Sequence, residues 1–171
     1  MARNIFKGLG VALITPFTSD GNVDYKSLTR LVEYQIDNGA DFLCILATTS
    51  EAPCLSAEEK EKVKQLVIEV NRGRLPLLMG CGGNNTKAIV EELKNSDWRG
   101  IDGVLSVCPY YNKPSQEGLY QHFKAIAEAS PLPVVLYNVP GRTGVNLKAE
   151  TTVRLANDCE NIIAKIGRAH V

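Results

Sequence analysis

The feature that most constrains the fold of this chain is a set of apolar runs that recur about every thirty residues, the length of one βα unit. Six runs rich in Val, Ile and Leu lie at residues 10–15, 42–47, 75–80, 101–108, 133–137 and 162–164. The runs are continuous rather than alternating, which is typical of strands covered on both faces of a parallel sheet. The sequence therefore predicts six strands separated by helical segments.

Between the runs, apolar residues recur at the spacing of one helix face. The three clearest stripes are Leu28, Leu31, Val32, Gln35 and Ile36, then Val63, Leu66, Val67 and Val70, and finally Leu119, Phe123, Ile126 and Ala127. Helix starts support them: Ser56 with Glu59 is a capping box, and Asn84 or Asn85 and Ser115 are candidate N-caps. Strict alternation of strand and helix predicts an α/β fold, either a doubly wound open sheet or a (β/α)₈ barrel.

Polar residues after successive runs favour the barrel over the open sheet. An open sheet gathers its functional residues at one switch point, whereas a barrel gathers them after several strands in turn. Here polar residues lie at the end of five runs or directly after them: Thr15, Thr48-Thr49, residues 80–85, Tyr110-Tyr111 and Tyr137-Asn138. A full barrel needs eight units, so we predict a (β/α)₈ barrel truncated after about five and a half units. Residues 1–164 would form the N-terminal part of this single domain.

Composition excludes several classes of function. Nineteen basic residues balance nineteen acidic ones, so there is no electrostatic case for binding nucleic acid or an anionic membrane. No apolar stretch reaches membrane-span length, and the N-terminus does not resemble a secretory signal. Five scattered cysteines without a Cys-x-x-Cys pair, and only two histidines, predict a cytoplasmic protein without a metal site.

Two loops carry the chemistry that a barrel enzyme would use. Residues 109–118 (PYYNKPSQEG) and 137–144 (YNVPGRTG) each follow an apolar run. Tyrosines at the carboxyl ends of strands can move protons when hydrogen bonds link them to other hydroxyl groups. Arg142 follows a Pro-Gly turn and offers a planar, two-pronged donor for a carboxylate.

These loops resemble those of the dihydrodipicolinate synthases, members of the N-acetylneuraminate lyase superfamily of pyruvate-dependent aldolases. The resemblance covers residues 8–164 and is most specific in 109–123 and 136–144. The segment 47–51 (ATTSE) matches the family's Gly-Thr-Thr-Gly-Glu in part, with Ala47 and Ser50 in place of glycines. The resemblance implies a lyase that joins pyruvate, held as a lysine Schiff base, to aspartate semialdehyde in lysine and diaminopimelate biosynthesis. It implies no cofactor, and a homo-oligomer, dimer or tetramer, at full length.

The resemblance also assigns roles to five residues. Tyr137 resembles the catalytic tyrosine that shuttles protons, and Thr48 resembles its relay partner. Tyr111 resembles the third relay member, which the family contributes to a neighbouring subunit's site. Thr49 resembles the ligand of the pyruvate carboxylate, and Arg142 resembles the arginine that receives the carboxylate of the second substrate.

Simpler interpretations exist for the same residues. Tyrosines after strands can be packed aromatics with a polar tip, which is the interpretation we keep for Tyr110. Thr48-Thr49 alone would be a helix cap or a strand end. We expect residues 80–85 to form a tight strand–helix turn rather than a phosphate cradle. We expect His122 to be a surface or packing residue and Trp98 to serve packing.

The end of the chain departs from the family. After Ala164 the family continues with Ile or Val and then the Schiff-base lysine, whereas here Lys165 comes one place early. A shift of one residue turns a strand side chain to the opposite face, so we predict that Lys165 faces the helices. A back-translation of residues 165–171 matches a widely used sequencing-adapter sequence. We therefore expect a non-native tail and an inactive, poorly stable fragment.

Two alternatives to the synthase remain open from sequence. One is another pyruvate-dependent aldolase, such as a sialic acid or keto-deoxy-sugar lyase, although Tyr111 and Arg142 in their contexts favour the synthase. The other is a non-catalytic binding barrel, whose only support is the misplaced lysine.

Overall fold

The computed structural model describes residues 5–167, in which strands and helices alternate along the chain. The strands are β1 Gly10–Ala12, β2 Phe42–Ile45, β3 Leu77–Gly80, β4 Gly103–Val107, β5 Val134–Asn138 and β6 Ile162–Gly167. The helices are α1 Tyr25–Asp37, α2 Ala57–Asn71, α3 Thr86–Asn95, α4 Gln116–Ala129, α5 Pro140–Thr143 and α6 Ala149–Asp158. Short 3₁₀ turns cover Thr48–Ser50 and Ala52–Cys54. The alternation predicted from the apolar runs is confirmed.

The described residues form two compact units. The first unit comprises Ile5–Gly80 with Arg99–Asp102, and the second comprises Cys81–Trp98 with residues 103–167. No helix within residues 5–167 is long and apolar enough to cross a lipid bilayer.

In the first unit, three parallel strands lie in the order β1-β2-β3. All four residues of β2 are buried, because β2 is paired on both edges. Gly10 in β1 pairs with Phe42, whose ring occupies the space that a side chain at position 10 would need. Glycine at this position therefore allows the aromatic ring to cover the strand.

The predicted start of α2 and the predicted packed faces of α1 and α2 are confirmed. Ser56 and Glu59 form the capping box of α2, with bonds of 3.2 Å and 2.8 Å between each side chain and the other's backbone N–H. The carboxylate of Asp24 caps α1 through the backbone N–H of Ser27. Each predicted stripe supplies its helix's buried apolar residues, Leu28 and Val32 in α1 and Val63, Val67 and Val70 in α2.

In the second unit, the parallel strands lie in the order β4-β5-β6, and α4 and α6 cover one face of them. Alternate strand residues, including Val104, Val134 and Leu136, enter a core with the fully buried Leu119 and Phe123 of α4. Because strand side chains alternate between faces, Val107 and Tyr137 lie on the opposite face. The second unit thus has one face packed on helices and one face that carries the predicted site residue.

His122 and Trp98 serve packing, as the sequence analysis expected. His122 is 5% exposed on α4, and its Nδ1 lies 2.8 Å from the Thr86 hydroxyl at the start of α3. Its Nε2 is buried without a hydrogen-bond partner among the described residues. Burial lowers the pKa of His122 to about 4. Trp98 packs against the core of the second unit and donates its indole N–H to the carbonyl oxygen of Leu93 at 2.9 Å.

All six predicted strands differ from the observed ones by one to three residues at one or both ends, and the differences are largest at β1 and β6. The strand predicted at 10–15 ends at Ala12, because Thr15 turns its hydroxyl to the carbonyl oxygen of Ser50, at 2.8 Å. The strand predicted at 162–164 continues to Gly167. The predicted Pro-Gly turn at 140–141 is part of the one-turn helix α5.

Candidate active site

Tyr137 lies at the carboxyl end of β5, between two paired strands. Its partners in register are Val107 on β4 and Ile166 on β6. Its neighbour Leu136 is fully buried in the helix-side core, so Tyr137 projects from the other face and is half-buried. The carbonyl oxygen of Tyr137 accepts the backbone N–H of Cys108 at 2.9 Å. The strand ladder on both sides therefore fixes the position of this tyrosine.

Arg142 lies on α5, directly after β5. The helix begins with Pro140 and ends at Gly144, whose φ of 72° lies in the left-handed region and whose N–H donates to the carbonyl oxygen of Pro140 at 2.9 Å. The buried Thr143 hydroxyl donates to the carbonyl oxygen of Val145 at 2.9 Å. Arg142 itself is exposed, and its guanidinium has no hydrogen-bond or ion-pair partner among residues 5–167. The α5 turn thus exposes a planar guanidinium that pairs with no acidic side chain among residues 5–167.

Two side chains to which the sequence analysis gave no role hold the segment after α5. The Asn138 amide donates to the Asn146 side chain at 2.7 Å, and its oxygen accepts the Leu147 N–H at 3.0 Å. Gln116, in the first turn of α4, donates to the carbonyl oxygen of Asn146 at 2.8 Å and accepts the Lys148 N–H at 3.1 Å. The signal in the sequence was a polar residue directly after an apolar run for Asn138 and the PSQEG motif for Gln116.

Tyr111 lies on the loop between β4 and α4 and is 87% exposed. Its φ of 70° is rare for a residue with a bulky side chain. Tyr110 is 42% exposed, and its hydroxyl lies 4.0 Å from the position that a side-chain carbon on Gly83 would take. The structure therefore places Tyr111 outward on a constrained turn, and Tyr110 is partly exposed with its hydroxyl near the loop of Gly83.

In the first unit, Thr48 and Thr49 form an exposed 3₁₀ turn after β2. Ser50, which replaces a family glycine, anchors this turn: it is 2% exposed, and its hydroxyl donates to the carbonyl oxygen of Leu13 at 2.7 Å. Leu46 before the turn has a φ of 51°, and Glu51 after it has a φ of 53°. Two residues with left-handed backbone therefore bracket the threonines.

Lys165 faces the helices, as its one-residue shift predicts. In the β5–β6 register, Lys165 pairs with Leu136 and Ile166 pairs with Tyr137. The Lys165 ammonium donates to the carbonyl oxygen of the buried Leu147 at 3.4 Å. It also lies near Cys108, where burial raises the pKa of the thiol to about 11 and the lysine charge opposes that rise. Position 166, not 165, is on the same face as Tyr137.

Neither the cysteines nor residues 81–85 form a metal-binding group within the described residues. All five cysteines are free, and Cys44 is a buried apolar-type residue whose pKa burial raises to about 12. Residues 81–85 form the expected strand–helix turn, with Asn85 capping α3 through the Ala88 N–H at 3.2 Å. Within residues 5–167, no group of three or more His, Cys, Asp and Glu side chains could hold a metal ion.

Comparison with known proteins matches the chain to the model of the dihydrodipicolinate synthetase family over residues 5–166. A curated 4-hydroxy-tetrahydrodipicolinate synthase of Phocaeicola vulgatus is 64% identical over 164 residues, which are 96% of this chain and 55% of that protein. The Bacillus subtilis enzyme of the same name is 50% identical over 159 residues, which are 93% of this chain and 55% of that protein. The chain thus spans about half the length of the curated relatives that it matches.

Solved structures give the same result. Dihydrodipicolinate synthase from Aquifex aeolicus is 43% identical with a TM-score of 0.90, over 97% of this chain and 56% of that one. The Acinetobacter baumannii enzyme, solved in complex with pyruvate, is 49% identical with a TM-score of 0.90, over 95% of this chain and 55% of that one. The predicted fold class is confirmed: the chain is α/β and has the fold of the corresponding part of a (β/α)₈ barrel.

Proposed function

The chain belongs to the dihydrodipicolinate synthetase family, and from this membership we propose that its full-length protein is a 4-hydroxy-tetrahydrodipicolinate synthase. The enzyme would condense pyruvate, held as a lysine Schiff base, with aspartate semialdehyde in lysine and diaminopimelate biosynthesis. The observation that carries the proposal is the pairing of Tyr137 with position 166 across β5 and β6. In this register a tyrosine and the strand position from which an amine could react share one face of the sheet.

We propose that Tyr137 transfers protons during formation of the Schiff base and cyclisation of the product. An isolated tyrosine has a pKa of about 10 and transfers protons slowly at neutral pH, so it needs hydroxyl partners. Thr48 and Tyr111 are the proposed relay residues, and each lies on a turn with left-handed backbone at or beside it. Thr49 is the proposed donor to the pyruvate carboxylate.

Arg142 is the proposed site for the carboxylate of aspartate semialdehyde. Its guanidinium is exposed and unpaired within the described residues, and the turn that carries it is held by Thr143. A bidentate guanidinium–carboxylate pair orients the carboxylate as well as attracting it. Such an arginine lowers the KM of one substrate and leaves the KM of pyruvate nearly unchanged.

The nucleophilic amine requires a lysine on the Tyr137 face of β6, and Lys165 is on the other face. We therefore propose that the native sequence has isoleucine at position 165 followed by the reactive lysine, and that residues 165–171 are not native; of these, 168–171 lie outside the described residues. Sequencing genomic DNA across this junction tests the proposal. A genomic sequence that runs unchanged through Lys165 and Ile166 would contradict it and would favour a binding barrel instead.

The activity test uses the full-length protein expressed from its genomic locus. We expect condensation of pyruvate with aspartate semialdehyde, and reduction with borohydride in pyruvate should trap a covalent adduct on a lysine at position 166. Arg142→Ala should raise the KM for aspartate semialdehyde at least about tenfold, the worth of a charge-assisted pair. Arg72→Ala, which removes an exposed arginine at the end of α2, is the matched control. Cleavage of sialic acid or keto-deoxy sugars without condensation would refute the proposed substrates.

We propose that the full-length protein is a cytoplasmic homo-oligomer, at least a dimer. The 87% exposure of Tyr111 supports a role for its hydroxyl in a neighbouring subunit, and the five free cysteines support a reducing compartment. Analytical ultracentrifugation tests the assembly. A fully active monomer would contradict the role proposed for Tyr111.

A further inference from the structure

The loop that carries Tyr111 contains a strained turn. The N–H of Asn112 donates to the carbonyl oxygen of Tyr110 at 2.8 Å, while Tyr111 between them has a φ of 70°. A bond from residue i+2 back to residue i around a positive φ is a γ-turn of the rare, strained kind. Lys113 follows with a φ of 48°. Strain of this sort persists only where the surroundings fix the backbone.

Two asparagine side chains supply that fixation. Asn84, in the turn before α3, donates its side-chain amide to the carbonyl oxygen of Tyr110 at 3.3 Å. Asn112 donates its side-chain amide to the carbonyl oxygen of Asn84 at 3.2 Å. The two bonds join the same two loops, and the residues they connect are 26 and 28 positions apart in the sequence. The Tyr110 carbonyl oxygen, which closes the γ-turn, thus accepts the backbone N–H of Asn112 and the side-chain amide of Asn84.

We propose that Asn84 and Asn112 are positioning residues for Tyr111. The inference rests on the proposed function, in which the Tyr111 hydroxyl takes part in proton transfer. The Tyr111 side chain makes no hydrogen bond within the described residues, so its direction is set by its own backbone. That backbone is held in the left-handed region by the asparagine pair. Loss of the pair lets residue 111 relax to negative φ and turns the ring away.

A positioning role and a general structural role predict different measurements. Asn84 is half-buried and Asn112 is exposed, so their bonds compete with water and contribute little to global stability. Asn85, the next residue in the chain, directs its side chain to the Ala88 N–H and so caps α3. Its substitution should therefore lower the melting temperature without lowering kcat below that temperature.

The experiment compares Asn112→Ala, Asn84→Ala, Tyr111→Phe and the double variant Tyr111→Phe/Asn112→Ala in the full-length protein. Each asparagine variant should lower kcat about tenfold, the factor that one net hydrogen bond is worth, with an unchanged KM for pyruvate and an unchanged melting temperature. The double variant should be no slower than Tyr111→Phe alone, because Asn112 acts through Tyr111.

If the parent protein is active and the losses of kcat from Tyr111→Phe and Asn112→Ala add in the double variant, the positioning role is overturned and the proposed function stays intact. An inactive parent protein would overturn both. A crystal structure of Asn112→Ala in which Tyr111 keeps its left-handed φ would overturn the positioning role without any activity measurement. Asn85→Ala is the matched control, expected to lower the melting temperature and leave kcat unchanged.

Discussion

Acid should destabilise the protein through His122, which is buried between α4 and α3. Burial holds the pKa of this imidazole at about 4, below its ordinary 6.5. As the pH falls below 6.5, the His122 imidazole is protonated in the unfolded chain but stays neutral in the folded chain. The stability lost in this way grows until the pH approaches the folded-state pKa and does not increase further below it.

The expected loss follows from this pKa shift. Each pKa unit corresponds to about 1.4 kcal/mol, so a shift from 6.5 to about 4 lowers the free energy of unfolding by about 3 kcal/mol in full. Between pH 7 and pH 5 the same linkage gives a loss of about 2 kcal/mol, since the folded imidazole is still neutral at pH 5. Such a loss is a large part of a typical net stability of about 5–15 kcal/mol.

The assay is urea unfolding of the full-length protein at a series of pH values, compared with His122→Gln. Glutamine does not ionise and can still bond to the Thr86 hydroxyl. Other groups also respond to acid: hydrogen bonding to the Ser56 backbone lowers the pKa of Glu59, and hydrogen bonding to Gln121 and Arg154 lowers that of Glu117. Their contribution is common to both proteins, so the difference between the two curves isolates His122.

The two curves should converge as the pH falls from 7 to 5, with the parent protein losing about 2 kcal/mol more than the variant. Thr86→Val is the second control, because it removes the hydrogen bond to Nδ1 and leaves the imidazole able to ionise. It should lower stability at every pH and retain the acid-dependent loss. Parallel curves for the parent protein and His122→Gln would refute the reasoning.

Three further outcomes are expected. Gly80→Ala should lower the free energy of unfolding by about 1–3 kcal/mol, because the added Cβ would come within 2.8 Å of the carbonyl carbon of Leu46. Gly83→Ala should be tolerated, because its Cβ would meet nothing nearer than 3.9 Å. Equal melting temperatures of the two variants would contradict this. Ser56→Ala removes the capping box of α2 and should cost about 1 kcal/mol in chemical unfolding, and a null result would show the cap to be redundant. The chain 1–171 itself should be poorly soluble and should form no borohydride-trapped pyruvate adduct; covalent labelling of Lys165 would overturn the face assignment.

Periodic patterns made most of the fold predictable. Continuous apolar runs gave all six strands, and stripes at helical spacing gave the buried faces of α1, α2 and α4. These patterns are reliable because they report burial, which acts on every turn of a helix and every second residue of a strand. Caps were predictable at Ser56 and Ser115, and at α3 the sequence left Asn84 and Asn85 open, of which Asn85 is the cap.

The backbone conformations of the loops after β2 and after β4 could not be predicted in the same way. Leu46, Glu51, Tyr111 and Lys113 all have positive φ, although local preference for that region belongs to glycine and asparagine. At Tyr111 the positive φ accompanies a contact from a residue distant in the sequence, the bond of Asn84 to the Tyr110 carbonyl oxygen. The pattern of neighbouring residues in the sequence does not report such contacts, so the positive φ angles could be seen only in the three-dimensional structure.

The face of Lys165 was predicted from its one-residue offset from the family's lysine, and in the structure it also depends on one irregularity in β6. Val134 pairs with Ile162 and Val135 pairs with Ala164, so a β-bulge inserts one residue into β6 before Ala164. From Ala164 onward the alternation is regular, which puts Lys165 beside Leu136 and position 166 beside Tyr137. Without the bulge, Lys165 would pair with Tyr137, lie on its face and become the candidate nucleophile. The face of β6 on which Lys165 lies therefore depends on the β5–β6 register, which the alternation of the strand alone does not fix.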